Sequence, residues 1–178
     1  MTYYGAKELA ASLRVVRKNT LQIAEDIPEA QYGFRPAPDC RSVGELLAHM
    51  ALGYQFQKVV HVEEHRTTLA GMDFGALMAR FRDAEAKLAT KAQILAALKE
   101  NGEAWATWIE GLPEAFLAEQ VEMPAGPPPS KSRFEMLLST KEHEMHHRGQ
   151  LMVIERLLGI VPHLTRERQA RAQAPPQK

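Results

Sequence analysis

The stretch Lys141–Gln150, KEHEMHHRGQ, holds three of the chain's seven histidines. It lies inside a longer helical pattern, in which Phe134, Leu137, Leu138, Met145, Leu151, Ile154 and Leu158 fall at apolar positions. Ser132-Arg-Phe-Glu135 is a capping-box sequence, with Ser132 as N-cap and Glu135 reaching back. Gly159 followed by Pro162 is a stop signal. The pattern predicts a helix over about 133–158. At 3.6 residues per turn, His143 and His147 fall about 40° apart around its axis. Two imidazoles so placed can point at one metal ion.

Outward from this helix, three more segments show helical periodicity, and none shows a sustained strand alternation. Leu9, Leu13, Val16, Ile23 and Ile27 mark a helix over about 5–27 that Pro28 stops. Ser42-Val-Gly-Glu45 caps a second, about 43–65, with Val43, Leu46, Leu47, Met50 and Tyr54 as its apolar face. Thr90 and Gln93 cap a third, about 91–111, whose buried candidates are Ile94, Leu98, Trp105 and Ile109. A shorter helix over about 74–88 precedes it. The connections IPEAQYGFRPAPDCR and LAEQVEMPAGPPPSKSR are long and rich in Pro and Gly. The expectation is an all-α four-helix bundle over 1–160, with long connecting loops and a short extra helix. Residues 161–178, ending in Ala-Pro-Pro-Gln-Lys, are expected to form a flexible, frayed tail.

The bulk numbers fit one domain. The chain has 178 residues, 45% of them hydrophobic and 25% charged, with 22 basic and 22 acidic side chains. Zero formal charge argues against nucleic acid as a partner, because phosphate binding needs a basic surface. The single cysteine, Cys40, permits no internal disulfide. No signal-peptide pattern opens the chain, and no apolar run approaches the roughly 20 residues of a membrane span. A cytoplasmic protein without membrane contact is expected.

A catalytic metal site typically takes three protein ligands, and His143 with His147 falls one short. The best third candidate is His49, in the apolar stripe of the second helix, although a lone histidine there is more often a satisfied core residue. Gly53 and Gly149 could let those helices approach closely. His61 and His65 share the four-residue spacing but sit among Glu63, Glu64 and Arg66, and read as a solvated face. His146 is rotated by about 80° from the mean of the pair and either lines a pocket or faces solvent. His163 carries no clear signal. His143-Glu144-Met145-His146-His147 also matches H-E-x-x-H, the zinc motif of metalloproteases. Its extended form is missing, and no strand is evident to hold a peptide. Glu144 and Arg148 form a favourable i, i+4 pair and read first as helix stabilisers. Gln150 shares the histidine stripe and either contacts a bound water or substrate or merely packs. Nothing obvious activates Cys40 as a nucleophile.

His143-x3-His147-Arg148-Gly149-Gln150 resembles the signature of the DinB/YfiT-like superfamily of metal-dependent enzymes. FRPAPDCRSVGELLAHM resembles the segment leading into that family's second helix, which ends on its first metal histidine. The resemblance covers about 5–160. It implies a four-helix bundle, frequent homodimers, and a divalent metal, often zinc or nickel, on His49, His143 and His147. It also implies a small-molecule substrate and, in characterised relatives, a low-molecular-weight thiol. The leading expectation is a thiol-dependent S-transferase. A metal-hydroxide hydrolase on the same ligands is the close alternative. A non-catalytic dimeric stress-response or binding module, with a structural metal or none, is the alternative from another class. Gln150, His146 and Glu144 are the possible catalytic side chains beside the metal.

Overall fold

Ala6–Asp26 forms α1 in the computed structural model, which describes residues 4–173. Leu9, Leu13, Val16 and Ile23 lie buried along it at the predicted spacing. Val43–Leu52 forms α2, capped by Ser42, whose hydroxyl accepts from the Glu45 amide while Glu45 accepts from the Ser42 amide. Lys91–Glu110 (α5) and Arg133–Leu157 (α7) carry the other two predicted capping boxes, at Thr90–Gln93 and Ser132–Glu135. These four helices make the bundle: α1 packs along α5 and α7, and α2 lies against α5 and α7. Ile23, Leu47, Met50, Ile94, Leu98 and Leu151 fill one core between them. Leu9, Trp105, Ile109 and Leu137 fill a second. Each such side chain contributes on the order of 1.5–3 kcal/mol by leaving water.

The elements between are short. Gln55–Lys58 is α3, followed by a π-helical turn at Val59–Glu63. Phe74–Glu85 is α4 and Glu114–Ala118 is α6. Gln120–Glu122 (β1) pairs antiparallel with Ser130–Ser132 (β2), a ribbon that buries Val121. It is too short for its alternation to stand out in the sequence.

Three expectations about the fold need correction. The second helix does not run unbroken to about 65; it ends at Leu52, and Gly53 and Tyr54 form a turn before α3. His61 is not on a solvated face. It is fully buried, accepting from Arg133 at Nδ1 (2.8 Å) and facing Gln57 Oε1 at 2.9 Å from Nε2. Within the segment 161–178 read as frayed, His163–Gln173 is helical (α8), and 174–178 lie outside the described residues. His163 is buried and donates from Nε2 to Asn19 Oδ1 at 3.1 Å, and Arg166 pairs with Asp26, so α8 is tied to α1. No described helix is long and apolar enough to cross a membrane.

Candidate metal centre

His49 lies in the last turn of α2, and His143 and His147 are successive turns of α7. The packing of α2 on α7 brings all three rings together. His143 Nε2 is 3.0 Å from His49 Nε2 and 3.0 Å from His147 Nε2. Gly53 makes this possible. A Cβ there would stand 3.0 Å from His143 Nδ1 and 3.2 Å from its Cε1, so the ring occupies space that any side chain would claim. Gly149 has no such role, since a Cβ there meets nothing within 4 Å.

The far side of two rings is fixed by acceptors. His49 Nδ1 donates to Glu85 Oε1 at 2.7 Å, and His147 Nδ1 donates to Gln150 Oε1 at 2.8 Å. A carboxylate and an amide oxygen can only accept, so each Nδ1 carries a proton and the neutral form of each ring presents its Nε2 lone pair. His143 can give one Nε2 proton to these two lone pairs, not two. The cluster is therefore an incomplete hydrogen-bond set that a cation could complete. Bonds of about 2.05 Å place two nitrogens about 2.9 Å apart at a right angle and about 3.3 Å apart at the tetrahedral angle. The two separations that involve His143, 3.0 Å each, lie within that interval, and the three ligand atoms all lie within 4.8 Å of one another. Burial pushes the His143 imidazole down to about 4, helped by the neighbouring histidines and Arg41, and burial likewise lowers His147. Neutral imidazole is the form a metal needs.

His49, His143 and His147 are thus brought together as a group that could hold a metal ion. His146 is not part of it. Its exposed ring stands against His147, and Gln150 Nε2 lies 3.3 Å from its Nε2. Glu144 faces elsewhere and does not pair with Arg148. It is buried and receives two hydrogen bonds from Arg17, at 2.8 and 2.9 Å. Arg17 also donates to Leu98 O and Met50 O, so the pair ties α1, α2, α5 and α7 together. This removes Glu144 as the free general base that an H-E-x-x-H protease requires. Gln150 takes the orienting role on His147.

Glu85 was not anticipated, because nothing in the spacing of α4 marks it as the partner of a histidine 36 residues earlier. Arg17 did carry a signal: it falls four residues after Leu13, on the buried stripe of α1. The triad lies between two clefts. One, of about 350 Å³, is lined by His49, His143, Phe56, Met78, Phe81 and Ser139. The other, of about 450 Å³, is lined by His147, Gln150, Arg41, Leu46 and Ile154.

The chain resembles solved structures. It aligns with a DinB-like protein from Bacillus subtilis, YjoA, at 22% identity and a TM-score of 0.61, over 85% of this chain and 92% of that one. It aligns with Bacillus subtilis YfiT at 17% identity and a TM-score of 0.67, over 90% and 91%. YfiT is described as a probable metal-dependent hydrolase with an unusual four-helix bundle topology. At these identities the likeness establishes the fold. No curated protein sequence matches the chain. The profile of the DinB superfamily matches residues 12–151, and with the bundle and the histidine order this settles the family: the chain belongs to the DinB superfamily.

Proposed function

We propose that this protein is a divalent-metal-dependent enzyme acting on a small molecule, with His49, His143 and His147 as the ligands. The observation that carries the reading is the orientation of the rings. Two Nε2 lone pairs, fixed by Glu85 and Gln150, converge with His143 Nε2 at 3.0 Å. A divalent ion held there supplies Lewis acidity, enough to ionise a bound water or thiol near neutral pH.

The remaining chemistry belongs to the chain. Glu85 and Gln150 hold two rings in the metal-binding tautomer. Phe56, Met78 and Phe81 supply an apolar wall beside His49 and His143. Glu85 and Glu144, the carboxylates beside the triad, are committed to His49 and Arg17. A nucleophile that needs little help to ionise suits such a site, and a thiol ionises far more readily than water. We therefore favour S-transfer from a low-molecular-weight thiol. The sulfur bonds to an electrophilic carbon, the leaving group departs with its electron pair, and the thiol proton goes to solvent. Hydrolysis on the same ligands is the second reading, supported by the description given to YfiT.

The test begins with elemental analysis of untagged protein, wild type beside His49→Ala. About one divalent ion per chain, sharply reduced in the variant, is expected. Zinc- and nickel-loaded protein is then assayed with 2-mercaptoethanol and an aryl halide, and separately with esters. Thioether formation supports S-transfer, and ester cleavage without thiol supports hydrolysis. A wild type that takes up neither metal overturns the metalloenzyme reading and leaves a binding module.

A further inference from the structure

Two cavities meet at Arg41. The larger, about 640 Å³, lies between the start of α2 and the end of α4, and its lining includes Tyr32, Ser42, Arg82 and Glu85. The smaller is the cleft that His147 and Gln150 line. Arg41 and Arg82 are exposed, and neither side chain makes a hydrogen bond or ion pair among the described residues. The carboxylates that line the larger cavity are spoken for: Glu45 pairs with Arg35, and Glu85 with His49. Asp39 lines the smaller cleft but bonds neither Arg41 nor the triad.

The backbone under Arg41 is held firmly while its guanidinium is left free. Tyr32 donates its hydroxyl to Ala24 O at 2.8 Å, and the Gly44 amide donates to Tyr32 O at 2.8 Å. Arg35 donates to Cys40 O at 2.6 Å, and the next residue, Ser42, is the buried N-cap of α2. The root of Arg41 is thus held in place at the mouth of both cavities, with the guanidinium open to a ligand. It lines the same cleft as His147 and Gln150.

We propose that Arg41, aided by Arg82 across the larger cavity, anchors the carboxylate or phosphate group of a small anionic ligand whose other end reaches the histidine triad. The planar guanidinium suits either anion through paired N–H donors. Leu46 and Ile154, which line the smaller cleft with Arg41, accept an apolar body between the two ends. The reactive end rests on the metal-site reading above, and the anionic end does not.

The test uses the full chain, metal-free and zinc-loaded, titrated calorimetrically with benzoate and with phenylphosphonate. At least one should bind saturably, and the tighter one identifies the anion. Arg41→Gln should weaken it about tenfold or more in both forms. Arg82→Gln should weaken it less, and Arg168→Gln, on exposed α8, not at all. Failure of both probes to bind, or unchanged affinity in Arg41→Gln, overturns the proposal. If zinc does not bind at all, the metal reading falls, and Arg41-dependent binding to the metal-free chain still supports the anion site. If zinc binds through the triad while anion affinity ignores Arg41, the anion site falls alone.

Discussion

Gly53→Ala should separate the metal centre from the fold. The backbone at Gly53, with φ −60 and ψ −15, accepts alanine without strain. Replacing glycine at such a position restricts the unfolded chain, which raises stability by about 0.4–1 kcal/mol. The added methyl, however, would stand 3.0 Å from His143 Nδ1 and 3.2 Å from Cε1. Comfortable contact begins near 3.5 Å, so the ring must retreat by about 0.3–0.5 Å. Metal–ligand distances tolerate about 0.2 Å, and perturbing the support of a ligand typically costs 10- to 100-fold in affinity. The displaced ring offsets that gain, so the variant should stay within about 1 kcal/mol of wild-type stability, yet bind zinc about 10- to 100-fold more weakly. Urea unfolding of metal-free protein measures the first quantity, and competition with a chromophoric chelator measures the second. Wild-type zinc affinity in Gly53→Ala would refute the claim that this glycine makes room for the ligand ring.

Other perturbations address the supporting residues. Glu85→Gln removes the charge behind His49 and should lower metal affinity about 10- to 100-fold with little change in circular dichroism. Glu144→Ala leaves the largely buried Arg17 with its carbonyl acceptors but no counter-ion and should cost about 3 kcal/mol in urea unfolding; Glu103→Ala, in an exposed pair with Arg14, should cost less than about 1 kcal/mol. Burial, with Arg133 adding to it, pushes His61 from 6.5 down to about 4, so its contribution is present above 6.5 and lost as pH falls to 4. That amounts to roughly 3 kcal/mol, and the slope of stability against pH across this window should flatten in His61→Asn. Glu155 acts in the opposite sense. It is fully buried, neither carboxyl oxygen has a partner among the described residues, and burial raises it from 4.5 to about 7, with Asp26 adding to the rise. Its contribution is present below 4.5 and lost as pH rises through 7, so Glu155→Gln should stabilise the protein at pH 8 by up to about 3 kcal/mol.

The bundle was legible because its signals are local. The three Ser/Thr capping boxes lie within four residues each, and the apolar stripes of α1, α5 and α7 follow one period. The histidine pair on α7 was legible for the same reason. His49 could be nominated only as a buried histidine in the right stripe; its approach to the pair depends on packing that no local spacing encodes. Errors fell where a tertiary partner overrode a local reading. Glu144 has Arg148 one turn away but bonds Arg17, because burial inside the bundle rewards the partner that is buried with it. His61 has acidic and basic neighbours in sequence, yet the π-helical turn at Val59–Glu63 points it inward to Gln57 and Arg133. The tail's composition concealed α8, which is held by His163 and Arg166 rather than by an apolar face. Glu155 falls four residues after Leu151, and its place on the buried stripe was the available sign of its unusual environment.

The central claim is that three Nε2 atoms converge to hold one divalent ion. X-ray absorption spectroscopy of the zinc-loaded, untagged protein tests it most directly. The account predicts one ion per chain with three imidazole nitrogens at about 2.0–2.1 Å, completed by light oxygen or solvent ligands. In His49→Ala the imidazole count should fall or the ion should be lost. A site with fewer than two imidazoles, or a spectrum that His49→Ala leaves unchanged, would contradict it.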